Sequence, residues 1–249
     1  MNRLAVLILT YNEQTNIEQC ILSARFADEI IVVDSFSNDE TVRIAEQMGA
    51  KVFQNSFEQG FAAQRNFALT CTDCEWVFYL DADERVTPEL ALSIKAATIG
   101  LQNNSFEVLR QNYVMGMKLG YGVFKPDWSH RLYPQGSVTW EGIVHEHPVV
   151  NLPRRKLNGL LLHFTYQNWD KYFITFNRYT TMMAQKNIAD GKKAGFADLA
   201  LRAPFSFFQA YILRQGFRDG KIGFIMAVLH GFYTFAKYLK MIFLQRELV

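Results

Sequence analysis

Three short stretches concentrate side chains able to hold a cation or a polar ligand: Thr10-Tyr11-Asn12-Glu13, Asp34-Ser35 and Asp81-Ala82-Asp83-Glu84. Each follows directly on a short apolar run, so three loops of one sheet would carry carboxylates to a common rim. Like charges gathered in one place are costly unless a cation or a donor-rich ligand compensates them. A divalent ion is the simplest compensation, and hard oxygen ligands suit Mg2+ or Mn2+, which keep open positions for substrate phosphates. Asp81 and Asp83 are two residues apart, so a turn can aim one at the metal and the other at a ribose hydroxyl or a metal-bound water. An isolated Asp-x-Asp is more often a turn or a cap. Its place after an apolar strand, with Asp34 as companion, makes this one specific.

The elements that must position these loops follow from periodicity. Leu4–Leu9, Glu29–Val33, Lys51–Gln54 and Trp76–Leu80 read as buried strands, and Gln14–Phe26, Glu40–Met48, Ala62–Thr70 and Pro88–Ala97 carry apolar residues three and four apart. Ser37 and Glu40 have capping-box spacing, Gly49 stands where a helix would stop, and Thr87-Pro88 supplies an N-cap followed by proline. The result is a β-α-β-α-β-α-β layout, a parallel sheet whose ligands bind beyond the strands' carboxyl ends. Neither a Gly-x-Gly-x-x-Gly turn nor a Walker loop is present, which removes dehydrogenase and P-loop readings. Arg65, in the third helix, is placed to reach a base or a phosphate.

Beyond residue 100 the pattern changes. Phe106–Tyr113, Ser129–Tyr133, Ile143–His147 and Leu160–Tyr166 read as strands of a mixed extension, and Trp169–Asp190, Phe196–Phe217 and Ile222–Leu244 as helices. Residues 1–100 hold seven Lys and Arg against fifteen Asp and Glu, whereas residues 101–249 hold nineteen against nine. The acidic part suits a cation, and the basic part suits phosphates or an anionic membrane surface. A hydrophobic content of 49% with 14% aromatics supports a full core and excludes a disordered or fibrous chain. Three cysteines are too few for a disulfide framework, and the six-residue run Leu4–Leu9 is too short for a signal-peptide core, so a cytoplasmic protein is expected. Cys71-Thr72-Asp73-Cys74 has no second ligand pair for zinc, and His145-Glu146-His147 lacks metalloprotease spacing. Toward the end, Ile222–Ala236 is an apolar stretch short of the roughly 20 residues a bilayer core requires. Seven basic residues between 202 and 249, interleaved with phenylalanines, suit a helix lying in the headgroup layer.

The segments Leu9–Glu13, Ile31–Asp39, Gln64-Arg65-Asn66 and Leu80–Glu84 resemble glycosyltransferase family 2, the inverting GT-A enzymes that use nucleotide sugars, over about residues 4–100. Tyr121-Gly122 through Pro126-Asp127, Arg131-Leu132-Tyr133, Trp140-Glu141-Gly142 and Val144-His145-Glu146 resemble the branch containing bacterial lipopolysaccharide inner-core β-1,4-glucosyltransferases. The resemblance implies an α/β, GT-A-like fold: a mostly parallel Rossmann-like sheet flanked by helices, a mixed-strand acceptor region and a C-terminal helical extension. Residues 1–100 would bind the nucleotide sugar, 101–167 would form the acceptor half of the same domain, and 168–249 a basic, aromatic region against the membrane.

By the same resemblance Thr10, Tyr11, Asn12, Glu13, Asp34, Arg65, Asp81, Ala82 and Asp83 contact the nucleotide sugar. Asp34 would hold uracil, Asp81 would face the ribose, Asp83 would bind Mg2+ or Mn2+, and Glu13 would orient the first loop. His145 would complete the metal shell. Inversion needs a base on the acceptor side, for which Glu146 comes first, then Glu141, then Asp127. The implied reaction moves a hexose, glucose from UDP-glucose, onto a heptose of a lipid-linked core oligosaccharide at the cytoplasmic face of the inner membrane, with no nucleic-acid partner. A sugar nucleotidyltransferase or a non-catalytic sugar-nucleotide-binding module are the competing readings.

Overall fold

Side-chain alternation along strand β1 (Leu4–Thr10) builds both faces of a sheet: Leu4, Val6 and Ile8 enter one apolar cluster, and Ala5 and Leu7 another. Such two-sided burial is what a parallel strand between two helical layers requires. The computed structural model describes residues 2–100, 103–142 and 146–247. The chain divides into two units, Met1–Arg110 with Asp127–His163, and Gln111–Pro126 with Phe164–Val249.

In the first unit β1 is followed by α1 (Ile17–Ala24), β2 (Glu29–Asp34), α2 (Thr41–Gln47), β3 (Lys51–Gln54), α3 (Gly60–Leu69), β4 (Trp76–Asp81), β5 (Glu84–Val86) and α4 (Pro88–Gly100). Strands β6 (Ser105–Val114), β7 (Met117–Lys118), β8 (Asp127–Pro134), β9 (Val138–Glu141), β10 (His147–Val150) and β11 (Arg154–Tyr166) complete the β-structure. Among the described residues the main sheet runs β3-β2-β1-β4-β8-β6-β11-β5, with β7 on β6, while β9 and β10 form a separate antiparallel pair. β3, β2, β1 and β4 pair in parallel; β8 then runs antiparallel to both β4 and β6. This is the expected α/β, GT-A-like architecture. Helices α1, α2 and α4 cover one face, and α3 with the β9 residues Val138 and Trp140 covers the other.

Helix α4 packs on β11 at backbone distance. Thr87 Oγ1 accepts from Leu160 N at 3.1 Å and donates to Leu160 O at 2.8 Å. Gly159, at φ +93°, leaves no room for a side chain, since a Cβ there would lie 2.3 Å from Leu90 N.

Several local expectations change. Helix α1 starts at Ile17 rather than Gln14, because Asn12 turns the chain at φ 54° and Glu13 O accepts from both Asn16 N and Ile17 N. Ser37 does not cap α2. Its amide and hydroxyl both donate to Asp34, and Asp39 Oδ1 instead accepts from Thr41 N at 3.0 Å. Gly49, at φ +86°, and Thr87-Pro88 bound their helices as read from the sequence. The strand expected at Ile143–His147 lies partly outside the described residues, and strand structure starts at His147.

In the second unit α5 (Trp169–Ala189), α6 (Phe196–Phe208) and α7 (Gly220–Glu247) pack together. The single helix expected over Phe196–Phe217 is broken: a π turn covers Gln209–Leu213, Gln215 is left-handed at φ 58°, and a 3-10 turn covers Gly216–Asp219. The break lets the turn meet α7 backbone to backbone, where a Cβ on Gly223 would fall 1.9 Å from Gly216 O. Asp219 anchors the turn by accepting from Gly120 N at 3.0 Å and Tyr121 N at 2.9 Å. By length and composition Gly216–Gln245, at mean hydropathy 1.3, is long and apolar enough to cross a membrane, as the core helix of a soluble protein also can be.

Candidate active site

Strand register brings the first carboxylates level. Thr10 pairs with Asp34 across β1 and β2, and Leu9 with Asp81 across β1 and β4, so the loops after these strands leave one edge of the sheet together. The first two loops are stitched to each other. Asp34 is fully buried and accepts from Ser37 N at 2.8 Å, Ser37 Oγ accepts from Asn12 N at 2.8 Å, and Asn12 Oδ1 accepts from Asn38 N at 2.9 Å. Glu13 joins this framework, with its amide on Thr41 Oγ1 and its carboxylate on Asn16 Nδ2. Tyr11 projects to solvent and Ala82 is buried.

The triplet Gln64-Arg65-Asn66 divides its labour along one turn of α3. Gln64 Nε2 donates to Asn55 O and Ser56 O, fixing the loop after β3. Asn66 donates to Trp140 O at 2.9 Å and accepts from Trp140 N at 2.8 Å, fixing β9. Between them Arg65 enters the site, its guanidinium 4.7 Å from the Trp140 ring centroid and 5.5 Å from that of Tyr79. Its Nη2 lies 3.0 Å from Asp81 Oδ1 and 3.5 Å from Glu146 Oε1. Its Nε and Nη1, and the Thr10 hydroxyl, are buried with no hydrogen-bond partner among the described residues. A buried donor left without a partner costs about 1–3 kcal/mol, so three such atoms at one edge mark where a polar ligand would be accommodated.

Asp81 belongs to a longer chain of alternating charge. Arg131 Nη2 donates to Asp81 at 2.8 Å and to Glu84 at 2.6 Å. Arg110 Nη1 lies 3.7 Å from Glu84, and Arg110 clasps Asp127 through Nε at 3.2 Å and Nη2 at 3.0 Å. The order is Asp127, Arg110, Glu84, Arg131, Asp81, Arg65, Glu146. Burial alone would raise the pKa of Asp81, but the charges of Arg131 and Arg65 outweigh it and hold the carboxyl well below its usual range. Glu84, fully buried, is pushed up by its burial against the pull of Arg131.

Asp83 stands beside this chain, partly exposed, with His163 Nε2 3.4 Å from its Oδ2. The His163 pKa is raised, because a hydrogen bond and the charge of Asp83 overcome its burial. Among the described residues no three His, Cys, Asp or Glu side chains converge as a complete metal cage. The partly exposed Asp83 carboxylate is a hard oxygen ligand of the kind that suits Mg2+ or Mn2+, which take few protein ligands and complete their shell with water and substrate phosphates.

The structure thus brings both Asp81 and Glu146 to Arg65, and Asp127 is tied to the same chain of charges through Arg110. Glu141 is exposed at the end of β9, opposite His147. His145 lies outside the described residues. Sequence reading gave no role to Arg110, Arg131, Trp140 or His163, and took Glu84 only as one more acid on the rim. The one signal was an arginine at each of two positions inside otherwise half-buried strands. Cys20, Cys71 and Cys74 are free thiols, so the Cys-x-x-Cys spacing forms no bridge.

Residues 5–112 match the family model described as Glycosyl transferase family 2. Over nearly its full length the chain is similar to an uncharacterized glycosyltransferase of Rickettsia bellii, 30% identical across 96% of this chain and 86% of that one. It is equally similar to the lipopolysaccharide core biosynthesis glycosyltransferase LpsC of Rhizobium meliloti, 30% identical across 93% of this chain and 89% of the relative. Among solved structures, glucosyl-3-phosphoglycerate synthase from Mycobacterium tuberculosis, crystallised with Mn2+, UDP and glucosyl-3-phosphoglycerate, is 22% identical at a TM-score of 0.38. That likeness covers 45% of this chain and 44% of the synthase, so the chain spans under half of that protein.

Proposed function

Since this chain belongs to glycosyltransferase family 2 and is a glycosyltransferase, we propose that it moves glucose from UDP-glucose, with inversion, onto a heptose of the lipid-linked inner core of lipopolysaccharide. The observation that carries the donor half is the set of buried polar atoms without partners, Thr10 Oγ1 and Arg65 Nε and Nη1, beside Asp81. A nucleoside diphosphate offers acceptors to the two arginine donors and to the threonine hydroxyl. The name of the LpsC relative supports the acceptor, and the likeness of residues 121–146 to inner-core glucosyltransferases supports the sugar. The basic, aromatic second unit would face the anionic cytoplasmic surface of the inner membrane, where such an acceptor lies.

Asp34 and Thr10 would border the base and Asp81 the ribose. Asp83, with His163 beside it, would hold Mg2+ or Mn2+. When bound, such an ion neutralises charge on the departing diphosphate. Arg65 Nη2 lies 3.0 Å from Asp81 and 3.5 Å from Glu146, which supports Glu146 as the carboxylate that would serve the acceptor hydroxyl. The acceptor hydroxyl oxygen bonds to C1 as the bond from C1 to the phosphate oxygen breaks, and the hydroxyl proton passes to the Glu146 carboxylate. Glu146 is preferred to Asp127, both of whose oxygens accept from Arg110 at 3.0–3.2 Å whereas Glu146 has one longer approach from Arg65 at 3.5 Å, and to Glu141, which is exposed at the strand end.

Calorimetric titration of UDP and UDP-glucose with and without Mn2+, followed by UDP release with and without a truncated core acceptor, tests the reading. Mn2+-dependent donor binding and acceptor-dependent release are expected. Asp83→Ala should stay folded, giving up about 1 kcal/mol at most with its His163 partner, while losing both. Full transfer in that variant overturns the metal assignment, and no donor binding by the unaltered chain overturns the function.

A further inference from the structure

Arg85 follows the acidic turn directly and takes no part in the chemistry assigned so far, yet its guanidinium joins two loops of the site. The connection between β4 and β5 consists of Ala82 and Asp83 alone. Arg85 Nη1 donates to Ala82 O at 2.9 Å and to Glu84 O at 2.7 Å, the carbonyls on either side of Asp83. Arg85 Nη2 donates to Asn16 O at 2.9 Å and to Asn16 Oδ1 at 3.1 Å, at the start of α1. Asn16 in turn donates from Nδ2 to Glu13 Oε2 at 2.7 Å and from its amide to Glu13 O at 2.8 Å. One side chain therefore spans from the turn that carries Asp83 to the loop that follows β1.

Four protein oxygens match the four N–H bonds of the two terminal nitrogens, so these donors are committed to the backbone and to Asn16 rather than offered to a ligand. A planar fork that donates in two directions is what such a bridge requires. Lysine carries the same charge but donates from a single nitrogen, and cannot reproduce both arms. The surroundings are firm: Ala82 and Glu84 are buried, Glu84 Oε2 accepts from Asp81 N at 3.0 Å, and Val86 N donates to Ser23 Oγ at 3.1 Å, holding β5 on α1. Asp83 is partly exposed between two carbonyls pinned by the same nitrogen. A cation that takes few protein ligands is sensitive to how each of them is aimed, because the groups that orient a ligand govern metal affinity nearly as much as the ligand itself.

We propose that Arg85 is a positioning residue of the donor site: its guanidinium holds the Asp83 carboxylate in register with the loop after β1, so that a divalent cation can be shared between Asp83 and the diphosphate of a bound nucleotide. This rests on the reading that Asp83 holds Mg2+ or Mn2+, and adds the residue that aims it.

The test uses the full chain with UDP and reads Mn2+ binding directly, from the loss of the free ion's electron paramagnetic resonance signal, in the unaltered chain and in Arg85→Lys, Asn16→Ala and Ser23→Ala. Arg85→Lys should weaken Mn2+ binding about 10- to 100-fold, the range expected when a group orienting a metal ligand is removed. The Mn2+ concentration for half-maximal transfer should rise with it while the acceptor KM stays unchanged. Asn16→Ala removes one of the four acceptors with the arginine left in place, and should shift Mn2+ binding in the same direction by less; it decides the matter should Arg85→Lys fail to fold. Ser23→Ala frees the Val86 amide on the same seam between α1 and β5, and should melt below the parent with Mn2+ binding unchanged. If Arg85→Lys and Asn16→Ala lose thermal stability yet bind Mn2+ as the parent does, the arginine is a structural support and the proposal is overturned. Equal weakening in Ser23→Ala overturns it too, since any loosening of the seam would then suffice. If the unaltered chain binds no Mn2+ with UDP, the metal reading of Asp83 fails and the positioning role falls with it.

Discussion

Replacing Arg131 with leucine should destabilise the first unit by about 3–5 kcal/mol, because a buried ion pair broken from one side strands the charge on the other. Arg131 is 4% exposed, and its Nη2 joins Asp81 at 2.8 Å to Glu84 at 2.6 Å. Asp81 retains Arg65, but Glu84 is left with the Asp81 amide at 3.0 Å and Arg110 at 3.7 Å. The stranded charge accounts for most of the loss, so adding Glu84→Gln should recover a large part of it. A coupling energy of at least ~1 kcal/mol is expected between groups in such direct contact. Urea unfolding at neutral pH, followed by the fluorescence of Trp76 and Trp140, both in this unit, measures the midpoints and slopes of the two single variants and the double. A loss below about 1 kcal/mol for Arg131→Leu, or a double variant no more stable than that single one, would refute the view that these charges are held against burial by one another. Donor affinity should fall in Arg131→Leu but persist, since Asp81 keeps its second arginine.

Other consequences are equally open to measurement. Glu146→Gln should lower transfer by roughly 10²- to 10⁴-fold with donor binding unchanged; transfer at the parent rate would move the base to Glu141. Gly159→Ala should cost more than about 3 kcal/mol, because its Cβ would meet the α4 backbone at 2.3 Å as well as demand a positive φ. Gly191→Ala, with φ +75° but open space around it, should cost only about 1–2 kcal/mol, and equal losses at the two sites would deny the close approach of α4 to β11. The His130 ring nitrogens are buried without partners among the described residues, and burial, then Arg154, pushes its pKa down to about 4. Folding therefore favours the neutral ring, a contribution complete above pH 6.5 and lost as pH falls from 6.5 toward 4. His130→Phe should flatten the fall in stability across that window by about 1–2 kcal/mol, after discounting for a ring only partly shielded from water; an unchanged slope would rule the histidine out as its source.

What the sequence determined by itself was local and periodic. Alternating and continuous apolar runs placed β1 to β4 within a residue or two, Gly49 and Thr87-Pro88 marked helix ends, and the carboxylates after β2 and β4 were legible because they follow buried strands directly. The likeness of Leu9–Glu13, Gln64–Asn66 and Leu80–Glu84 to family 2 transferases was legible for the same reason: each motif is a few contiguous residues. Competition among side chains misled the reading of Ser37, whose hydroxyl and amide serve the buried Asp34 instead of the helix that follows. What only the tertiary structure decided was which charges compensate which. Arg131 is fifty residues from Asp81 in the chain and meets it because β8 lies antiparallel beside β4. His163 reaches Asp83 because β11 pairs with β5, a three-residue strand too short to leave a periodic signal. The energy of a buried charge depends on its neighbours in space, whereas sequence patterns report only neighbours along the chain, so the acids of the site and Arg65 could be read in advance and the pairing of Arg110 and Arg131 with those acids could not.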